Sequence, residues 1–160
     1  MTFRLPRGAT GFRDAGEPSA EPMDRREFAR VVHAVARRTN GGVLAVDHAE
    51  TVRSFRSAVL VHRDRKVEVV GHLLLPFLAL ARPGEEGDMT VSFLDDPDVA
   101  RALGELGELG GCGPYRLLSV AELTLSTSRA DLSELAAVEL EQLRYWNPGT
   151  VGEVLFNHWD

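Results

Sequence analysis

The sequence has almost none of the residues that build disulfides or thiol-based metal sites. Cys112 is the single cysteine among 160 residues, so no disulfide can form within the chain. It lies in the sequence Gly-Gly-Cys-Gly-Pro, without a neighbouring histidine or lysine that would activate its thiol. We therefore interpret Cys112 as a small residue in a turn.

Long hydrophobic runs are also missing. The longest apolar stretch, residues 73–81, is interrupted by Pro76 and is far shorter than the ~20 residues that a transmembrane helix needs. The first residues contain no apolar signal segment. These two absences predict a cytoplasmic protein without membrane contact.

Lysine is nearly absent: Lys66 is the single lysine, and the chain has 17 arginines. Acidic residues outnumber basic ones and give a formal charge of −6. The imbalance is uneven: residues 1–66 carry 13 basic and 8 acidic side chains, whereas residues 67–160 carry 5 and 16. An acidic chain repels the phosphates of nucleic acid and attracts basic proteins. We therefore expect a protein partner, of basic character, and no nucleic acid.

The hydrophobic pattern places helices on both sides of a group of strands. Residues 24–38 predict a first helix, because an apolar stripe is formed by Phe28, Val31, Val32 and Val35. Short apolar runs across residues 43–95 predict strands, with a polar hairpin turn at residues 62–66, and residues 96–109 predict a second helix. This order predicts an α+β fold: an antiparallel sheet of about four to six strands with helices packed mainly on one face.

We interpret residues 1–160 as a single domain. Residues 1–23 are expected to form a partly mobile N-terminal arm, because they are rich in Gly, Pro, Glu and Ser. Residues 131–160 are expected to form a helical segment docked on the core. Asp131 has the spacing of an N-cap for its first helix, and Asn147 with Pro148 has that of the start of another.

No motif in the sequence assembles a catalytic or cofactor site. The glycines of residues 104–113 lie at the end of a predicted helix, where backbone N–H groups are not available to phosphate. No two histidines have the i, i+3 or i+4 spacing of metal ligands on a helix. We therefore expect no catalytic residue, no metal and no cofactor.

The leading hypothesis is a non-enzymatic bacterial protein-binding module, for example an immunity protein that masks the basic active site of a toxin. Two features of the sequence suit such a role: an acidic edge and a C-terminal segment that holds both tryptophans. The periodicity of that segment favours packing in the core, and an exposed patch is the alternative. The candidate partner-binding residues are Glu85, Glu86, Asp88, Asp95, Trp146 and Trp159.

Two other hypotheses stay open. The first is a small enzyme or ligand-binding protein with a polar site, because an acid beside a histidine can orient the imidazole for general-base chemistry. Its residues would be Asp47, His48, His62 and His72. The second is a structural or regulatory subunit that forms a homo-oligomer through the aromatic C-terminal segment.

Overall fold

A computed structural model describes residues 2–14, 24–46, 53–85, 88, 90–108 and 115–159. Its centre is one sheet of five strands in the order β1-β2-β3-β4-β5. The strands are β1 (Gly42–Val46), β2 (Phe55–His62), β3 (Arg65–His72), β4 (Phe77–Ala81) and β5 (Arg116–Leu117). The first four pair antiparallel, and β5 lies parallel to β4. The predicted α+β class and strand number are confirmed.

Within the described ranges, five α-helices accompany the sheet. They are α1 (Arg25–Arg38), α2 (Pro97–Glu108), α3 (Val120–Leu123), α4 (Ala137–Trp146) and α5 (Val151–Leu155). None of the helices that the structure describes has the length and apolar character needed to cross a membrane.

The first helix forms where the sequence predicts it. The carboxylate of Asp24 accepts hydrogen bonds from the backbone N–H groups of Arg26 and Glu27, which caps the N-terminus of α1. The predicted apolar stripe is buried. After the helix, Asn40 adopts a left-handed conformation (φ 55°), and a Cβ atom on Gly41 would collide with the carbonyl oxygen of Val61. Glycine is therefore required where the chain crosses the end of β2.

Both faces of the sheet are covered by apolar side chains, in two separate hydrophobic clusters. The two longest helices, α1 and α2, pack on the first face against alternate residues of the central strands, including Leu60, Val69 and Leu80. The second face is covered mostly by the N-terminal residues and by short elements of the C-terminal region. The buried aromatic side chains of this second cluster include Phe55, Phe77 and Phe156.

Residues 6–11 form a loop that packs on the second face, and we call it the N-terminal loop. A fully buried carboxylate, Glu139 of α4, accepts hydrogen bonds from the backbone N–H groups of Gly8 and Thr10 and from the Thr10 hydroxyl, at 2.8–3.1 Å. The same carboxylate accepts a bond from the N–H of Ala136 at 2.9 Å. Four donors thus compensate the removal of this charge from water.

Two further buried polar side chains bind the carbonyl groups of the N-terminal loop. His72, at the end of β3, donates from Nε2 to the carbonyl oxygen of Ala9 at 2.8 Å. Asn157 donates from its amide to the carbonyl oxygen of Thr10 at 3.0 Å. Side chains from three distant parts of the chain therefore fix one loop, which ties the N-terminal residues to the C-terminal region.

Three local predictions differ from the structure. The hairpin turn has two residues, Arg63 and Asp64, both with positive φ, because the strands continue to His62 and from Arg65. The third long helix begins at residue 137 instead of 131. Residues 131–136 are not helical, since the backbone of Asp131 forms a bridge with the N-terminal residues.

The last helix also begins later than the sequence predicts. Asn147 has φ 49° and ends α4, so it cannot begin the next helix. Thr150 takes the cap position instead, and its hydroxyl accepts a hydrogen bond from the N–H of Glu153. Asn147 and Thr150 are both residue types that cap helices, so the sequence alone does not distinguish between them.

Candidate functional site

Three aromatic side chains of the C-terminal region form a surface group that we call the aromatic patch: Tyr145, Trp146 and Trp159. The two indole rings stack almost parallel, with centroids 5.8 Å apart and an interplanar angle of 3°. Tyr145 meets Trp146 edge-on at 5.1 Å and is 78% exposed. Both tryptophans are half-buried. The sequence left open whether these residues are core or surface, and the structure places them at the boundary.

One hydrogen bond holds the ring of Trp146, and another holds the backbone of Trp159. The indole N–H of Trp146 donates to the side-chain oxygen of Gln142, one turn earlier on α4, at 3.0 Å. The backbone N–H of Trp159 donates to the side-chain oxygen of Asn157 at 3.2 Å. Asn157 is buried, and its backbone N–H donates to the hydroxyl of Ser54 at 3.0 Å. The patch is therefore attached to the rigid core.

A surface cavity of about 240 Å³ opens beside the patch. Trp146, Trp159 and Phe93 contribute aromatic surface, and Glu153 contributes a carboxylate. No lysine or arginine is found among the described residues that line it. The carboxylate of Glu153 also accepts a hydrogen bond from the N–H of Gly149 at 2.6 Å, which orients it. The cavity combines aromatic walls with a negative charge.

The wall of this cavity depends on a glycine. A Cβ atom on Gly152 would collide with the ring of Phe93 and lie 3.0 Å from the carbonyl oxygen of Leu123. We predict that Gly152→Ala lowers the free energy of unfolding by about 1–3 kcal/mol through overpacking. Gly104→Ala is the control, because that position faces open space within a helix. It should be neutral or stabilising by up to about 1 kcal/mol in the same urea titration. Equal changes in stability for the two variants would contradict the close packing of Gly152 against Phe93.

The predicted acidic edge does not behave as one uniform surface. Glu85, Asp88 and Asp95 are exposed, and Glu86 lies outside the described residues. Asp88 accepts a hydrogen bond from the backbone N–H of Glu85 at 2.9 Å, and Asp95 accepts one from the N–H of Val120 at 3.1 Å. These two carboxylates therefore bind backbone N–H groups of the protein itself. Glu85 differs, because its side chain makes no hydrogen bond within the described part of the chain.

In the sequence, the acidic residues Glu85 and Asp88 come shortly before a residue that lines the aromatic cavity. Thr90 lines the cavity and follows Asp88 by two residues, so their Cα atoms lie within about 8 Å. Glu85 is joined to Asp88 by the hydrogen bond above. Glu85 and Asp88 thus precede a residue of the cavity wall in the chain, while the structure brings both predicted tryptophans together in that wall.

A second polar group lies on the opposite face of the sheet, at the end of β2. His62 and Asp96 are buried, 1% and 3% exposed, and His62 Nε2 lies 2.8 Å from Asp96 Oδ2. Burial raises the pKa of Asp96, but the hydrogen bonds from His62 and Val99 and the charges of His62 and Arg65 outweigh it, and the net pKa is lowered. Asp96 thus serves as the N-cap of α2 and as the partner of His62.

The surroundings of this pair are polar. His62 lines a cavity of about 320 Å³ together with Arg38, Arg63 and Arg101. Its Nδ1 atom is buried and has no hydrogen-bond partner in the described structure. A donor or acceptor on a small molecule, or a water molecule, would satisfy this atom.

His62, Asp96 and Asp98 have ligand atoms within 4.8 Å of one another, which is a spacing that suits a metal ion. Their charges are already compensated. Arg63, Arg65 and Arg101 all lie within 3.5 Å of the Asp98 carboxylate. These guanidinium groups supply the positive charge that a cation would bring, so the group fits an ion-pair network better than a metal centre.

The four residues of the alternative polar site are not brought together as a group. Asp47 and His48 lie outside the described residues. His72 pairs with Phe55 across the hairpin, seven residues from His62, which corresponds to about 23 Å. The two histidines also face opposite sides of the sheet, because His62 points toward α2 and His72 contacts the ring of Phe156.

Three residues that shape these sites escaped the sequence analysis: Glu139, Asp96 in its pairing with His62, and Asn157. Each acts on a partner more than 30 residues away in the chain. Local spacing carries no signal of such contacts. Comparison of the chain with protein-family models, with curated proteins and with solved structures found no match.

Proposed function

We propose that this protein is a non-enzymatic binding module for a basic protein, and that it binds through the aromatic patch. In its most concrete form it is a bacterial, cytoplasmic neutraliser of the immunity type, which covers the basic active site of a toxin. The observation that carries the proposal is Tyr145, 78% exposed and packed edge-on against a stacked tryptophan pair. Tryptophan and tyrosine are the residues most enriched among binding hot spots.

The patch has the composition of an interface centre. Its rings are large and rigid, and Trp146 is already fixed by Gln142, so little side-chain entropy is lost when a partner binds. Leu44, on the edge strand β1, is the other large apolar side chain that is strongly exposed in the described structure, at 58%. It is a single residue at an irregularity of the strand, whereas the patch is a group.

The charge around the patch favours a basic partner. Glu85 and Asp88 precede the cavity wall, and Glu153 lies in it. Acidic groups around an aromatic centre accelerate association with a positively charged surface and disfavour other partners. The net charge of −6 acts in the same direction at longer range.

Charge reversal at Glu85 tests the electrostatic part of the proposal. Glu85→Lys should slow association with the partner by about threefold to tenfold at low salt, with little change in dissociation, because a peripheral charge acts mainly on the encounter. Glu85 is preferred to Asp88 and Asp95, whose carboxylates hold backbone groups. The partner is first isolated from the organism's lysate by its binding to the immobilised protein. Surface plasmon resonance then measures its association and dissociation rates with the native protein and the variant.

Glu134→Lys is the matched control. It makes the same change of charge on an exposed residue that precedes α4 by three positions, and the ten residues of that helix, about 15 Å long, separate its beginning from Trp146. If both variants slowed association equally, the effect would come from the net charge of the protein and not from the position of Glu85. Unchanged association in Glu85→Lys would remove the acidic residues from the interface.

A second candidate function is supported by the polar cavity beside His62. This cavity reaches about 320 Å³, and small-molecule sites generally occupy about 300–1,000 Å³. The buried Nδ1 atom without a partner is the observation that favours a small polar ligand. Nuclear magnetic resonance screening of a fragment library would show shifts of the His62 ring signals on binding. Shifts confined to other residues would rule this cavity out.

A further inference from the structure

We infer that the cavity beside the aromatic patch binds the guanidinium group of an arginine side chain presented by the partner. This inference rests on the proposed function and names the chemical group of the partner that the site would recognise. It follows from the charge, the ring surfaces, the size and the rigidity of the cavity.

The lining favours a cation. Glu153 is exposed, and one of its carboxylate oxygens accepts the hydrogen bond of Gly149 while the other makes none with a described residue. That second oxygen is available to a donor from outside. The described lining contains no lysine or arginine that would repel a cation or occupy the carboxylate.

The aromatic walls favour a planar cation. Trp146 and Trp159 both line the cavity, and the indole ring is the strongest cation–π partner among the side chains. A guanidinium group can stack on an indole face and donate hydrogen bonds to a carboxylate in its own plane at the same time. The ammonium group of lysine is compact and strongly hydrated, so it gains less from an indole face.

The dimensions suit one side chain. The volume of about 240 Å³ lies below the ~300–1,000 Å³ that is typical of small-molecule sites. The walls are also set before binding, because the indole of Trp146 is hydrogen-bonded to Gln142 and the ring of Trp159 stacks on it. A rigid pocket of this size, beside the exposed ring of Tyr145, is the expected form of an anchor site.

Intrinsic fluorescence can report this site alone, because Trp146 and Trp159 are the only two tryptophans in the chain. The probes are blocked tripeptides Gly-Xaa-Gly in which Xaa is arginine, citrulline, lysine or leucine. Citrulline has the shape of arginine without its charge. The titration is run at about pH 8, well above the pKa of about 6.5 that an unperturbed histidine side chain has.

We expect a saturable change in tryptophan emission with the arginine peptide, and binding about fivefold or more weaker with the citrulline and leucine peptides. Glu153→Gln should weaken the arginine peptide about fivefold to tenfold, while its remaining carbonyl oxygen still accepts the bond from Gly149. Trp159→Phe, which keeps an aromatic ring, should weaken it severalfold and leaves one tryptophan as reporter.

Several results would overturn the inference. They are an equal response to the citrulline or leucine peptide, a lack of saturation with arginine, or unchanged binding in both Glu153→Gln and Trp159→Phe. Because the probe is a free peptide, its failure is separate from the failure of the proposed function. If partner binding still depends on Tyr145 while the arginine peptide does not bind, the arginine site is wrong, but the proposal that the aromatic patch binds the partner is kept.

Discussion

Replacing Glu139 with glutamine is expected to lower the free energy of unfolding by about 3–5 kcal/mol, because this side chain is the buried centre of the N-terminal loop. Its carboxylate accepts hydrogen bonds from four donors, the N–H groups of Gly8, Thr10 and Ala136 and the Thr10 hydroxyl. Glutamine keeps the shape but turns an NH₂ group toward these donors. At least one donor is then left buried without an acceptor.

The measurement is equilibrium unfolding in urea, followed by circular dichroism, with Glu134→Gln as control. Glu134 is exposed and lies five residues earlier, so the same chemical change should alter stability by less than about 0.5 kcal/mol. A difference below about 1 kcal/mol between the two variants would mean that Glu139 does not hold the loop as described.

Stability should also fall as the pH is lowered from about 7 toward 4, by about 3 kcal/mol, through His72 alone. Burial lowers the pKa of His72 from 6.5 to about 4, and the hydrogen bond to Ala9 opposes this only in part. The imidazole is neutral in the fold: Nε2 donates to Ala9, and Nδ1 accepts from the N–H groups of Leu74 and Leu75. Protonation at Nδ1 would break both of these bonds.

The sign follows from the two pKa values. Above pH 6.5 the histidine is neutral in the folded and the unfolded chain, so its contribution is fully present. Below pH 6.5 the unfolded chain takes up a proton that the folded chain does not, and stability is lost until the pH reaches about 4. The loss begins above the pH at which ordinary carboxyl groups titrate.

Urea unfolding between about pH 7.5 and 5 measures this dependence, with His72→Gln as the comparison. The variant is expected to be less stable at neutral pH, and its stability should change much less over this interval. Parallel pH profiles for the native chain and the variant would show that another group is responsible.

The parts of the fold that depend on local pattern could be predicted from the sequence. Helix α1 follows from Asp24 as cap and a stripe of four apolar residues, and α2 follows from Asp96 and Pro97. Pro76 ends the irregular segment before β4, and a proline has no N–H group to donate within a sheet. In each case neighbouring residues decide the structure.

Contacts between distant residues were beyond local pattern. Glu139 has the appearance of a surface charge on a helix, and only the N-terminal loop, about 130 residues earlier, makes it a buried anchor. Asp131 has the spacing of a helix cap, but its backbone pairs with the N-terminal residues instead. Trp146 and Trp159 are 13 positions apart in the sequence, and no local pattern indicates that their rings stack.

The polar anchors and the aromatic patch belong to one structural arrangement. Asn157 binds the N-terminal loop through its amide group and positions Trp159 through its carbonyl oxygen. Deletion of residues 151–160 would therefore remove core as well as patch, since Val151, Val154, Leu155 and Phe156 are buried. A test of the patch requires a substitution at its exposed rim.

Partner binding by the native protein, Tyr145→Ala and Leu44→Ala tests the central claim most directly. Both variants remove one strongly exposed side chain, from the patch or from edge strand β1, so both should remain folded. We predict that the native protein retains one basic protein from the organism's lysate in a one-to-one ratio and releases it at high salt. Tyr145→Ala should bind it about 30-fold more weakly, and Leu44→Ala should bind it like the native protein. Equal binding by all three proteins, an acidic partner, or a native homodimer that Tyr145→Ala dissociates would contradict the account.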